Sequence, residues 1–155
     1  MQSRIGAGVA GGLIAGVVFG LIMQFSTMAT PTGEVSSMAM VAKVVRSDSL
    51  VIGWLYHLFN SAVIGGLFGW VLGSKLGTAG SGILWGALYG AFWWVLGGLI
   101  LMPVLLGMPA FAALRDPMMR ADAWGSLVGH LIFGVILGWT AVLLLKGGAR
   151  APLPA

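Results

Sequence analysis

The two histidines of the chain, His57 and His130, are the residues whose type and position best suggest chemistry. Each lies inside a long apolar segment that contains no Asp, Glu, Lys or Arg. A neutral imidazole has one unprotonated nitrogen, which can bind a metal ion or accept a hydrogen bond. Because polar side chains inside apolar segments are energetically costly, they usually mark either a functional site or a contact between helices.

Small residues spaced by four follow each histidine and share its face of a helix. They are Ser61 and Gly65 after His57, and Gly134 and Gly138 after His130. We predict that the two histidines and these four small residues form a cofactor site of the electron-transfer type. Both imidazoles would bind the iron of one haem b, and the glycines would leave room for the flat macrocycle.

Two other interpretations of the histidines stay open. In the first, they only form hydrogen bonds between packed helices, no cofactor is bound, and the protein is a structural or accessory subunit of a larger membrane complex. In the second, the protein binds Cu(I), for which thioether and imidazole are suitable ligands. Met23 and Met102 are the candidate thioether ligands, because they approach the depth of the histidines from the first and third apolar segments.

The composition indicates an integral membrane protein. Of 155 residues, 59% are hydrophobic and only 8% are charged, whereas roughly a quarter of a soluble domain is charged. The chain has no cysteine, which excludes disulfides, thiolate metal sites and iron–sulfur clusters. We recognise no catalytic motif, and we predict no nucleic-acid partner, because the basic residues lie between apolar segments and there set membrane topology.

Four apolar segments are long enough to cross the hydrocarbon core of a bilayer, which takes about 20 residues. They cover residues 5–25, 50–72, 82–106 and 124–145. We therefore predict an all-α fold, an integral membrane four-helix bundle that forms a single domain over residues 1–155. Pro103 is expected to disturb only the last turn of the third segment.

Glycines spaced by four mark the first and third segments as well. They are Gly8, Gly12, Gly16 and Gly20 in the first, and Gly82, Gly86 and Gly90 in the third. The chain therefore divides into two two-helix repeats, about 5–73 and 80–146, which would insert in parallel around a pseudo-twofold axis. Glycine faces also favour lateral contacts, so a homo-oligomer is a further expectation.

The connections between segments indicate the topology. The termini and the turn 73–81 fall on one side, and the loops 26–49 and 107–123 fall on the other. Basic residues are divided equally, but all four acidic residues lie in the long loops. We expect a prokaryotic inner (plasma) membrane with both termini in the cytoplasm. In the first long loop, residues 36–45 are expected to form a short interfacial helix.

Several short motifs occur in a fixed order along the chain. They are Gly53-Trp54-Leu55-Tyr56-His57, Tyr89-Gly90 with Trp93, Met102-Pro103 with Gly107, and Gly129-His130-Leu131-Ile132-Phe133-Gly134. This set resembles a family of small four-span membrane proteins of bacteria and archaea, known as a domain of unknown function. The resemblance implies the four-span fold and directs attention to His57 and His130. It implies no activity, ligand or partner.

Overall fold

The computed structural model describes residues 3–30 and 33–149, most of which are helical. The helices are α1 Arg4–Phe25, α2 Ser37–Val44, α3 Leu50–Leu72 with a short 3-10 helix Gly73–Lys75 after it, α4 Ala79–Trp93, a π-helix Trp94–Leu101, α5 Met102–Leu105, α6 Ala112–Arg115 and α7 Arg120–Ala149. The predicted all-α class is confirmed. Four helical stretches are long and apolar enough to cross a membrane, namely Arg4–Phe25, Leu50–Lys75, Ala79–Leu105 and Arg120–Gly147.

The loop between α1 and α3 contains more regular structure than the sequence suggested. Strands β1 (Thr27–Thr30) and β2 (Gly33–Ser36) form a small antiparallel hairpin in which Thr27 pairs with Ser36. The helix expected at residues 36–45 is present as α2. Its Met38 is fully buried, and α2 packs against Gly53 at the start of α3.

Two antiparallel helix pairs, α1 with α3 and α4 with α7, are held together by backbone contacts at glycine. A methyl group added at Gly8 would overlap the carbonyl oxygen of Gly65, so a side chain there would push α1 and α3 apart. In the other pair, a methyl group at Gly82 would lie 2.6 Å from the carbonyl oxygen of Gly138. Small residues allow such close approach of two helices inside a membrane.

The two pairs meet along α1 and α7, and the shared core lies between them. Fully buried Phe68 and Leu137 belong to this core, together with Ala15 and Val142. In contrast, α3 and α4 meet through side chains. The Tyr89 hydroxyl donates a hydrogen bond of 2.9 Å to the carbonyl oxygen of Ile64.

The distortion of the third span extends further than the expected last turn, and that expectation was wrong. The π-helix starts at Trp94, about two turns before Pro103. Because proline has no N–H, it cannot donate to the carbonyl oxygen of Leu99, four residues earlier. That oxygen instead accepts a hydrogen bond of 2.7 Å from the N–H of Phe111, beyond the end of the span.

Candidate functional site

His57 links α3 to α1. Its Nε2 lies 2.9 Å from the carbonyl oxygen of Gly16, and the side chain is only 9% exposed. The imidazole also contacts the ring of Trp54 in an edge-on arrangement, with centroids 6.2 Å apart. The carbonyl oxygen of His57 accepts a hydrogen bond of 2.8 Å from the hydroxyl of Ser61, one turn along α3. His57 therefore makes a polar contact between two helices.

His130 makes its hydrogen bonds within its own helix, α7. Its Nδ1 lies 2.8 Å from the carbonyl oxygen of Ser126 and 3.3 Å from the Ser126 hydroxyl. The ring faces the π-helix, because a methyl group added at Gly98 would lie 3.5 Å from Cε1 of His130. The two histidines occupy equivalent positions in the sequence pattern, but their hydrogen bonds differ.

Phe19 packs against the imidazole rings of both histidines. Its ring contacts the imidazole of His57 with centroids 5.8 Å apart and that of His130 with centroids 4.9 Å apart, both edge-on. It also covers Gly129, where an added methyl group would overlap the phenyl ring. One aromatic ring is thus in contact with both imidazoles.

The small residues of the predicted site face neighbouring helices. A methyl group at Gly65 would lie 2.8 Å from Cα of Gly12, and one at Gly134 would lie 3.0 Å from the N atom of Gly90. One at Gly138 would overlap a carbonyl oxygen of α4. Ser61, 2% exposed, packs against α1. The space beside each of these residues is therefore filled by a helix of the same pair.

The hydrogen bonds determine which imidazole nitrogen carries the proton. A carbonyl oxygen can only accept, so the proton is on Nε2 of His57 and on Nδ1 of His130. In the neutral rings, the unprotonated nitrogens are then Nδ1 of His57 and Nε2 of His130. A metal binds the unprotonated nitrogen. The unprotonated nitrogen of His130 is Nε2. For His57 to bind a metal through Nε2 as well, its hydrogen bond to the carbonyl oxygen of Gly16 would first have to break.

The predicted sulfur ligands lie further along the helical stretches that contact the histidines. Met23 is seven residues beyond Gly16, about 10 Å along the α1 axis from the level of His57. Met102 begins α5, four residues beyond Gly98, which faces the His130 ring. Within residues 3–30 and 33–149, no group of three His, Cys, Asp or Glu side chains is placed to hold a metal ion.

Sequence reasoning missed two parts of this region. Phe19 lies off the glycine stripe of α1, and nothing in its type or spacing distinguishes it from other apolar residues of the span. The π-helix was missed as well, although Pro103 together with Gly97 and Gly98 gave a usable signal.

Comparisons of the chain with protein-family models, with curated proteins and with solved structures give no match.

Proposed function

We propose that the protein is a non-enzymatic integral membrane protein of the prokaryotic inner membrane that acts as a structural or accessory subunit of a larger membrane complex. In this proposal His57, His130 and the glycine stripes hold the helices together. One observation carries it: the stripe residues predicted as a cofactor site lie against neighbouring helices, and both imidazoles hydrogen-bond to backbone carbonyl oxygens. The partner subunits would contact the outer faces of the bundle.

The proposed architecture is a bundle of two parallel two-helix repeats. Equivalent register in the two helix pairs supports it, because Gly8 faces Gly65 in one pair as Gly82 faces Gly138 in the other. The repeats differ where they meet. Gly11 lets α1 approach α7 closely, since an added methyl group would lie 3.0 Å from the carbonyl oxygen of Leu137.

Haem b between His57 and His130 stays a prediction, and the geometry supports it less well than a packing role. The protonated Nε2 of His57 is engaged with Gly16, the Phe19 ring contacts both imidazoles, and the stripe glycines face backbone. The residues as arranged therefore do not fit a haem between the two rings. Cu(I) at Met23 and Met102 likewise stays a prediction.

Labelling of single cysteines tests the membrane arrangement, because the chain has no cysteine of its own. Ser49 and Ser74 are exposed residues at opposite ends of α3, which makes S49C and S74C a matched pair. In intact cells, S49C is expected to react with a membrane-impermeant maleimide, and S74C only after permeabilisation. The reverse result would contradict cytoplasmic termini. Equal labelling of both from one side, or a protein that stays soluble without detergent, would contradict the spanning bundle.

A further inference from the structure

An apolar groove lies on the outer surface between α1 and α3, with a volume of about 430 Å³. Its floor is Gly66, where an added methyl group would lie 3.3 Å from Val9 and 3.9 Å from Ile5. Its walls include Phe59 and Trp70, which are 65% and 69% exposed. The groove exists because Gly66 has no side chain, while Phe59 and Trp70, seven residues before it and four residues after it on α3, project at the two ends.

The groove has the length of one lipid acyl chain. From Phe59 to Trp70 it follows 11 residues of α3, about 16 Å at the rise of an α-helix. One leaflet is about 15 Å thick, half of the roughly 30 Å hydrocarbon core. An extended acyl chain of one leaflet therefore matches the groove in length.

The end of the groove nearest the N-terminus carries positive charge. Arg4 directly precedes Ile5, and its aliphatic stem lies against Gly73, with Cδ 2.9 Å from the position of an added methyl group there. Within the part of the chain that the structure describes, no carboxylate pairs with Arg4. Lys75 and Lys146 lie at the same end of the bundle, and all four acidic residues lie at the opposite end, three of them between helices and Asp122 in the first turn of α7.

We infer that this groove is a binding site for an anionic phospholipid. One acyl chain lies over Gly66 between Phe59 and Trp70, and the phosphate of the headgroup pairs with the guanidinium of Arg4. The inference rests on the proposed membrane arrangement and adds a specific ligand to it. Apolar contact holds the chain, and the charge of Arg4 selects an anionic headgroup over a zwitterionic one.

Native mass spectrometry of the full-length protein in detergent tests this site, with phosphatidylglycerol and phosphatidylcholine as the probes. The wild type is expected to retain one phosphatidylglycerol and to bind it at least fivefold more tightly than phosphatidylcholine. R4Q should weaken phosphatidylglycerol binding about fivefold and leave phosphatidylcholine unchanged. The control K75Q should change neither by more than about twofold, because the Lys75 ammonium lies over the ring of Trp85 on α4, which does not line the groove. G66L should abolish retention of both lipids, because leucine fills the groove.

The control variants distinguish loss of the lipid site from misfolding of the protein. G125L places the same side chain in open space on α7 and should bind lipid as the wild type does. If G66L does not fold, R4Q alone decides, since Arg4 is exposed. Equal binding of the two lipids, or a groove that holds a second copy of the chain and loses it in G66L, would overturn the inference. The proposed spanning arrangement would fail instead in the S49C and S74C labelling.

Discussion

Gly134→Ala is expected to lower the free energy of unfolding by about 2–3 kcal/mol, a large effect for the addition of a single methyl group. The added methyl group would overlap the carbonyl oxygen of Gly86, which belongs to a helix backbone and cannot rotate away. The two helices of the pair would have to separate, and every contact along α4 and α7 would weaken. Gly65→Ala should act similarly in the other pair, because its methyl group would overlap the carbonyl oxygen of Gly8.

The matched control is Gly125→Ala on the same helix, where an added methyl group meets no atom within 4 Å. It should be neutral or stabilise the protein by up to about 1 kcal/mol, because alanine favours a helix more than glycine does. Unfolding in mixed micelles with increasing denaturing detergent measures both variants against the wild type. Equal stability of the Gly134 and Gly125 variants would show that close packing at the stripe is not what holds α4 against α7.

His57→Ala is expected to destabilise the protein by about 2–3 kcal/mol, and His130→Ala by about 1 kcal/mol less. Both changes remove a ring that packs on Phe19 and leave a cavity. Only the first also removes a hydrogen bond between helices, since His130 bonds within α7. The difference between the two variants therefore reports the contact from His57 to Gly16.

His57→Gln provides the rescue, because its amide nitrogen is a donor near the position of the imidazole Nε2. It should recover about 1 kcal/mol of the loss. The same detergent-unfolding experiment gives all three values. If His57 and His130 were instead joint ligands of one cofactor, either alanine variant would lose the cofactor, and the two would be destabilised equally. Glutamine would then give no recovery.

The helices and their contact faces could be predicted well from the sequence, for a physical reason. Glycine every four residues leaves one face of a helix without side chains, and only another backbone can fill that face closely. This is why Gly8, Gly65, Gly86 and Gly134 lie where the stripes placed them. The β-hairpin could not be predicted, because four-residue strands give too short a pattern to recognise.

The candidate site could be predicted only in part. The spacing placed His57 and His130 at matched depths, and they do approach the same aromatic ring. Their hydrogen-bond partners could not be read from the pattern, because Gly16 and Ser126 contribute backbone carbonyl oxygens, which every residue has. The stripe was also ambiguous by itself, since a face of glycines fits a flat cofactor or a second helix equally well.

An absorption spectrum tests the packing role of the histidines most directly. The protein would be expressed with a haem precursor supplied, purified in detergent, and measured oxidised and dithionite-reduced, with iron and copper determined on the same sample. We predict absorption near 280 nm alone, with less than 0.1 equivalents of either metal, roughly the background of such preparations. A Soret band with resolved α and β bands on reduction, lost in both His57→Ala and His130→Ala, would contradict the account and establish a bis-histidine haem.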